Sequence, residues 1–259
     1  MRCALSRDYE AIQGGGATIM AQDKGAGESA VKRPASVRVL LFHGVSVMAL
    51  VAVVLPLALY PFTATFPGKA LGVVLYVVAC LERIWSMYLR QGLNRACSGA
   101  GRDWTAIAVG YAYTVTLAAS SLQFLLKGGY PSPVVVGCGA ALYLAGVGVR
   151  YWAFHALRHQ WHVDVSETGE GRCLVRNGPY GIMRHPLYAG ACLEVLGMPV
   201  FLGAWVALGI GALAFIPLEI TRAYYEERFL KTLFGEAYLR YRAEVWAFFP
   251  LPFRPSRRR

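Results

Sequence analysis

Two segments in the last third of the chain concentrate residues that can bind a charged ligand. Residues 178–190 read GPYGIMRHPLYAG, and residues 219–230 read EITRAYYEERFL. Between them they offer an imidazole, guanidinium groups, carboxylates and phenols. Their spacing predicts which of these side chains share a helical face, and that face is the candidate site.

The first segment predicts the start of a helix at Pro186. A proline fits the first helical turn, where its missing N–H costs no hydrogen bond and its φ angle is already helical. His185 then lies at the helix N-terminus, where free backbone N–H groups and the positive end of the helix dipole can receive an anion such as a carboxylate. Tyr188 follows three residues later, on roughly the same face.

The second segment predicts a helical stripe of charged residues. Spacings of three and four place Glu219, Arg222 and Glu226 along one face, where a helix leaves the bilayer. Arg222 offers a planar fork for a carboxylate or phosphate, and Glu226 can accept hydrogen bonds from ribose hydroxyls or an amino group. The alternative is an ordinary surface pair of Arg222 and Glu226, worth about 0.3 to 0.5 kcal/mol.

The composition indicates a membrane protein. Of the 259 residues, 56% are hydrophobic and only 16% are charged, too few to cover a soluble globule. The net charge of +11 comes from Lys and Arg residues that lie between apolar runs, which favours contact with a membrane surface over nucleic acid. The six cysteines form no CxxC pair and have no His partner at zinc spacing, so we expect neither a metal site nor a disulfide framework.

The apolar runs predict an all-α integral membrane bundle with four spanning helices and a C-terminal helical hairpin; the polar cytoplasmic segment between them is the cofactor-binding segment that the resemblance described below implies. The expected spans run from about residue 37 to 60, 70 to 89, 104 to 126 and 133 to 154. A glycine near residues 201–204 divides the apolar region 187–220 into two arms of about 15 residues each. Glu194 in the first arm should face protein, since a charge in lipid is costly.

We therefore divide the chain into a disordered tail (1–36), four transmembrane helices (37–155), a region with the candidate site and the hairpin (156–250) and a basic tail (251–259). The resemblance described next implies that residues 156–250 bind the cofactor and the substrate of a methyltransferase. Lys and Arg residues alternate between loops, and their enrichment on the cytoplasmic side predicts that both termini are cytoplasmic. The membrane is expected to be a bacterial inner membrane or the endoplasmic reticulum.

The two motifs together resemble the isoprenylcysteine carboxyl methyltransferase family. RHPLYAG is followed by R-x-x-x-E-E-x-x-L and FGEAYLRYR, and the resemblance covers roughly residues 161–250. It implies an all-helical membrane fold with S-adenosylmethionine in a cytosol-facing pocket below a lipid-accessible tunnel. It also implies that Arg222 holds the substrate carboxylate as the catalytic residue. The cofactor contacts implied by the resemblance are Arg172, Cys173, Leu174, Val175, Tyr180, His185, Pro186, Leu187, Tyr188 and Glu226.

The resemblance implies transfer of a methyl group from S-adenosylmethionine to a lipophilic acceptor, with the α-carboxylate of a prenylated cysteine as the best candidate. Such a carboxylate, with a pKa of roughly 3.5, is already ionised, so alignment and exclusion of water suffice. The expected partners are a lipid-modified or lipophilic substrate and membrane lipids, without an obligate protein partner.

Three alternatives remain open. The same fold can methylate a small hydrophobic metabolite or a phospholipid amine. The ammonium of a phospholipid amine must first lose a proton to a base such as Glu227 or His162. A membrane sterol-type reductase would use NADPH instead. A channel or carrier would need more polar residues within the membrane than this chain offers.

Overall fold

The computed structural model describes residues 35–63, 68–86, 104–157 and 174–249. Apart from one isolated bridge between Met183 and Trp246, regular structure in these ranges is helical. The helices are α1 (Ala35–Thr63), α2 (Gly68–Ile84), α3 (Trp104–Leu126), α4 (Pro133–Leu157), α5 (Pro186–Leu202), α6 (Trp205–Ile210) and α7 (Ile216–Glu244). A 3₁₀ turn, Gly178–Gly181, precedes α5, and a π-helical turn, Gly211–Phe215, joins α6 to α7.

Glycines let α4 and α5 approach each other closely. A Cβ atom added at Gly146 would lie 2.6 Å from the carbonyl oxygen of Gly190, and one at Gly197 would lie 2.5 Å from the backbone nitrogen of Tyr143. These contacts run in opposite directions along the two helices, so α4 and α5 are antiparallel. Small residues bring helix backbones together in this way within membranes. The position of the α5 N-terminus therefore depends on α4.

The helical hairpin is confirmed, with a longer second arm than predicted. α5 ends at Gly203, whose φ of +63° suits glycine in a left-handed C-cap. The second arm begins at Trp205 and continues to Glu244, past Pro217. The π-helical turn widens the helix just before Pro217, where a proline would otherwise interrupt the hydrogen-bond ladder. The arm bends only at Gly235, with φ of +52°.

The described part has the character of an integral membrane protein. Three helices are long and apolar enough to cross a membrane, Trp104–Leu126, Pro133–Leu157 and Trp205–Glu244. Large apolar side chains point outward, with Val134 exposed over 74% and Leu213 over 82% of their surface. The first two helices coincide with predicted spans, whereas the third belongs to the hairpin. The apolar stretch Val47–Pro61 and α5 are shorter, and the count of four spans over residues 37–155 stays a prediction.

A buried network of charges ties α2, α4 and α5 together. The carboxylate of Glu194 is completely buried and accepts hydrogen bonds from Arg150 Nε at 2.6 Å and Arg83 Nη1 at 3.0 Å. Arg150 also pairs with Glu82 at 2.8 Å, and the Tyr113 hydroxyl reaches Glu194 at 3.2 Å. The expectation that Glu194 faces protein is confirmed. Two acids and two bases cancel formally, as burial of charge requires.

We expect Gly146→Ala to destabilise the protein by about 1 to 3 kcal/mol, because the new methyl group would overlap the Gly190 backbone, which cannot move aside alone. Gly148 is a matched control on the same helix, since a Cβ atom there meets nothing within 4 Å. Gly148→Ala should leave stability unchanged or raise it through helix propensity. Thermal unfolding of both variants in detergent measures the difference, and equal effects would contradict the packing described.

We expect Glu194→Gln to lower the free energy of unfolding by about 3 kcal/mol, because it leaves the buried Arg150 and the partly buried Arg83 short of negative charge. Glu82→Gln is the control: the Glu82 side chain is 25% exposed and pairs with Arg150 alone, so its loss should cost clearly less. Denaturant unfolding in a fixed micelle compares the two, and a Glu194→Gln effect no larger than that of Glu82→Gln would contradict the network.

Candidate active site

The predicted helix start is confirmed. α5 begins at Pro186, and His185 occupies the N-cap position without a side-chain capping bond. The backbone before the helix is held by the C-terminal segment: Arg184 N–H donates to the Trp246 carbonyl at 2.7 Å, and His185 N–H donates to the Ala247 carbonyl at 2.9 Å. The C-terminal segment after α7 therefore fixes the entry to α5.

The imidazole of His185 lies between two carboxylates of α7. Its Nδ1 is 3.3 Å from Glu226 Oε2, and its Nε2 is 3.2 Å from Glu227 Oε1. The ring stacks on Tyr188, with centroids 5.4 Å apart and an interplanar angle of 4°, and Phe248 lies 5.6 Å away. Both ring nitrogens are engaged and the side chain is buried, so His185 positions Glu226 rather than presenting a free nitrogen.

The surroundings of His185 favour its charged form. Burial by itself lowers the pKa of His185, but the hydrogen bonds and negative charges of Glu226 and Glu227 outweigh burial and raise its pKa above the ordinary value of 6.5. A protonated ring donates from both nitrogens, one to each carboxylate. The imidazolium thus holds both acids in place.

Arg222 joins this cluster through Tyr188. Its Nε donates to the Tyr188 hydroxyl at 3.2 Å, and its Nη1 donates to Thr105 Oγ1 on α3, also at 3.2 Å. The Glu226 carboxylate lies close to the Tyr188 hydroxyl. Polar side chains of α3, α5 and α7 therefore meet in one cluster. Within it, Arg222 and Glu226 both lie next to Tyr188.

Glu227 is braced from its other side. Arg184 Nη2 pairs with Glu227 Oε1 at 2.6 Å, and Arg242 Nε lies 3.2 Å from Glu227 Oε2. Arg184 also donates to the carbonyls of Arg242 and Val245. Glu227 is therefore engaged by three cationic groups, whereas Glu226 keeps a side chain that is 29% exposed. Glu226 is the acid in this pair that is able to meet a ligand.

The other predicted cofactor residues divide into three groups. Pro186 and Leu187 open α5 beside His185. Tyr180 is buried behind them, and burial, followed by the nearby charge of Glu226, raises its pKa well above the ordinary value, so its phenol stays neutral. Leu174 packs on the C-terminal cluster of Tyr238, Tyr241 and Val245, with Val175 next in the chain. Arg172 and Cys173 lie outside the described residues.

Sequence reasoning missed three contributors to the cluster. Thr105 lies 117 residues from its partner Arg222, and no local pattern signals that contact. Phe248 belongs to the short segment after α7, to which the sequence motifs assign no site residue. Arg184 is part of the first motif, directly before His185. That position was the one sequence feature that could have indicated its ion pair with Glu227. In the ranges that the structure describes, no three His, Cys, Asp or Glu side chains group as metal ligands.

A family model described as phospholipid methyltransferase matches residues 134–237. This segment of the chain is therefore similar to the phospholipid methyltransferase family. It contains His185, Tyr188, Arg222 and Glu226, so most of the cluster lies within it. The C-terminal segment with Trp246 and Phe248 lies beyond it.

Three curated proteins are similar to parts of the chain. Protein-S-isoprenylcysteine O-methyltransferase of Schizosaccharomyces pombe is 32% identical over 90 residues, 35% of this chain and 38% of that protein. The uncharacterized protein YpbQ of Bacillus subtilis is 35% identical over 86 residues, 33% of this chain and 50% of that protein. The cobalt-zinc-cadmium resistance protein CzcN of Cupriavidus metallidurans is 36% identical over 77 residues, 30% of this chain and 35% of that protein.

The chain thus matches half or less of the length of each of these relatives. Among solved structures, the eukaryotic intramembrane Ras methyltransferase, an isoprenylcysteine carboxyl methyltransferase, superposes with a TM-score of 0.43 and 18% identity. That superposition covers 86% of this chain and 99% of that one.

The raised pKa of His185 makes stability depend on pH. An unfolded histidine titrates near pH 6.5, so the imidazolium's contribution is fully present below that pH and is lost as the pH rises through the folded pKa. We expect the wild type to lose up to about 1.4 kcal/mol per pH unit in that window, a slope that His185→Gln should abolish. His155→Gln, at an exposed position on α4, should keep the wild-type slope. Thermal unfolding between pH 6 and pH 9 measures the slopes, and identical slopes in wild type and His185→Gln would refute the charged imidazole.

Proposed function

We propose that this protein transfers a methyl group from S-adenosylmethionine to a lipophilic acceptor at the membrane surface. One observation carries the proposal. The Glu226 carboxylate is held by His185 at the N-terminus of α5, close to Tyr188, yet its side chain stays 29% exposed. The match of residues 134–237 to the phospholipid methyltransferase family supports the same reaction class.

The residues present fit S-adenosylmethionine, whose methyl group is activated by the sulfonium. A carboxylate such as Glu226 can accept hydrogen bonds from ribose hydroxyls or from an ammonium group. The first backbone N–H groups of α5, following His185, have no partner within the helix and suit the cofactor's carboxylate. Tyr188, fixed by Arg222 and stacked on His185, keeps Glu226 oriented. The chain's own task is to bind, align and exclude water.

The acceptor is proposed to reach the site from the lipid side. Ile220 lies next to Glu219 on α7 and is 53% exposed, and Leu213 in the preceding π-helical turn is 82% exposed. Apolar surface thus continues along the second arm up to the turn that carries Arg222. A lipophilic molecule lying against this surface would bring its polar end to the cluster.

The prenylated cysteine α-carboxylate remains the acceptor predicted from the sequence motifs. The name of the Schizosaccharomyces pombe relative supports it, and the guanidinium of Arg222 is the group that would hold such a carboxylate. Of the two candidate bases for amine methylation, Glu227 is engaged by Arg184, Arg242 and His185, and His162 lies outside the described residues. The family match also favours methyl transfer over an NADPH-dependent reductase.

Calorimetric binding of S-adenosylmethionine and S-adenosylhomocysteine to the full chain in detergent tests the proposal. We expect Glu226→Ala to weaken binding by at least tenfold, since hydrogen bonds to a charged group contribute about 1.5 to 3 kcal/mol. Glu236→Ala removes an exposed carboxylate from the same helix and should bind like wild type.

Absence of binding by folded wild type, in lipid nanodiscs as well as in detergent, would overturn the proposal. Binding of NADPH in the same titration would then bring the reductase alternative forward. Equal binding by wild type and Glu226→Ala would place the cofactor elsewhere on the chain.

A further inference from the structure

The outward face of α7 changes character where the helix leaves its apolar part. Exposed apolar side chains along this face end at Ile220. The exposed residues that follow it at spacings of four, four and three are Tyr224, Arg228 and Lys231, here called the basic face. These spacings keep all four residues on one side of the helix. Apolar, aromatic and basic side chains thus follow one another in the order in which a helix meets hydrocarbon, headgroups and water.

Aromatic rings beside the basic face are typical of a membrane interface. Tyr224 is exposed, and the guanidinium carbon of Arg228 lies 5.8 Å from the centre of its ring. Trp104, exposed at the start of α3, packs edge-on against Tyr225 with ring centroids 6.3 Å apart. Tyrosine and tryptophan, which join an apolar body to a polar group, are enriched at the depth of lipid headgroups. The rings therefore indicate that the basic face lies at that depth.

Acids do not neutralise the two cations of the basic face. Arg228 and Lys231 are both exposed, and in the ranges that the structure describes neither forms an ion pair with a carboxylate. On the same helix Glu219 lies on the buried side, and its Oε2 has no hydrogen-bond partner among the described residues. Over these turns of α7 the unpaired cations thus face outward.

The charges around the basic face leave it positive when every neighbouring group is included. Glu227 lies one turn before Lys231, but it is already paired with Arg184 and Arg242 and contacts His185. Further along α7, Glu236 and Arg240 add one charge of each sign. In total, six basic groups stand against three carboxylates: Arg184, His185, Arg222, Arg228, Lys231 and Arg242 against Glu219, Glu226 and Glu227. The unmatched positive charge attracts an anion.

An anionic phospholipid has the chemistry that fits this surface. Arg228 and Lys231 are one helical turn apart, so a single phosphate can lie between them. A guanidinium binds phosphate oxygens through paired N–H groups, and an ammonium adds a point charge. The acyl chains would stay in the hydrocarbon beside exposed apolar residues such as Ile220. A soluble anion lacks that apolar contact, and a zwitterionic lipid brings a cation that the face repels.

We propose that the basic face of α7 binds the headgroup of an anionic phospholipid, which anchors the protein and is not its methyl acceptor. The inference does not depend on the methyltransferase activity proposed above. Arg228 lies two residues after Glu226 on the same helix, so a headgroup bound there would hold the cluster around His185 at the membrane surface.

Native mass spectrometry of the full chain in a neutral detergent tests the surface. Phosphatidylglycerol and phosphatidylcholine with identical acyl chains are supplied in equal amounts, and the lipid that stays bound is identified. Each cation near an anionic lipid strengthens association about fivefold, so we expect the wild type to prefer phosphatidylglycerol by at least about tenfold. The double variant Arg228→Gln/Lys231→Gln should reduce that preference to less than about threefold.

A matched control removes the same two charges elsewhere. Lys127→Gln/Arg240→Gln changes exposed cations after the C-terminus of α3 and beyond the bend at Gly235. This variant should keep the wild-type preference, because its net charge equals that of the first double variant and only the positions differ. Thermal unfolding of both should match wild type, since all four side chains are exposed. Excess inorganic phosphate should not displace phosphatidylglycerol, because it has no acyl chains.

Equal retention of the two lipids by the wild type would overturn the inference. So would an unchanged preference in Arg228→Gln/Lys231→Gln, or an equal loss in the control, since net charge alone would then explain the effect. Displacement by inorganic phosphate would make the surface a site for any anion, and methyl transfer to phosphatidylglycerol would make the lipid an acceptor; either result would also overturn it. Binding of S-adenosylmethionine, which tests the proposed function, is a separate measurement and would persist in each case.

Discussion

The contact between His185 and the paired acids of α7 is the constraint on which the site depends. Two adjacent carboxylates within a helical membrane protein repel each other, and one imidazolium between them removes that repulsion. The same ring stacks on Tyr188, and the backbone N–H of His185 donates to the Ala247 carbonyl, so one residue links α5, α7 and the C-terminal segment. Of the two acids, Glu227 also forms ion pairs with Arg184 and Arg242, whereas Glu226 remains available to a ligand.

Close backbone packing in the membrane half makes that contact possible. Glycines bring α4 and α5 within a distance that no side chain would allow, and Glu194 is bound by Arg150 and Arg83 near the same interface. A buried ion pair adds little to stability, but it fixes the position of one helix relative to the other. Sliding the helices would separate the pair and leave its charges unpaired in an apolar medium. The position of the α5 N-terminus, and with it that of His185, follows from this register.

Arg222 and Glu219 lie one helical turn apart on the face of α7 that also carries Glu226. Arg222 is oriented by Tyr188 and Thr105, so its fork is preorganised before any ligand arrives. Glu219 supplies the opposite charge one turn away together with an unmet oxygen.

The sequence by itself determined the helical class, the helix start at Pro186 and the hairpin turn at Gly203, because proline, glycine and apolar periodicity act over a few residues. It also indicated that Glu194 must face protein, since lipid cannot solvate a charge. Only the tertiary structure decided that His185 bridges Glu226 and Glu227, that Thr105 holds Arg222 from 117 residues away, and that Glu219 keeps an unused oxygen. Those facts depend on which side chains meet across α3, α5 and α7. Local sequence patterns carry no information about contacts between helices. The distances between these side chains are set by how the helices pack, because the residues are far apart in the sequence.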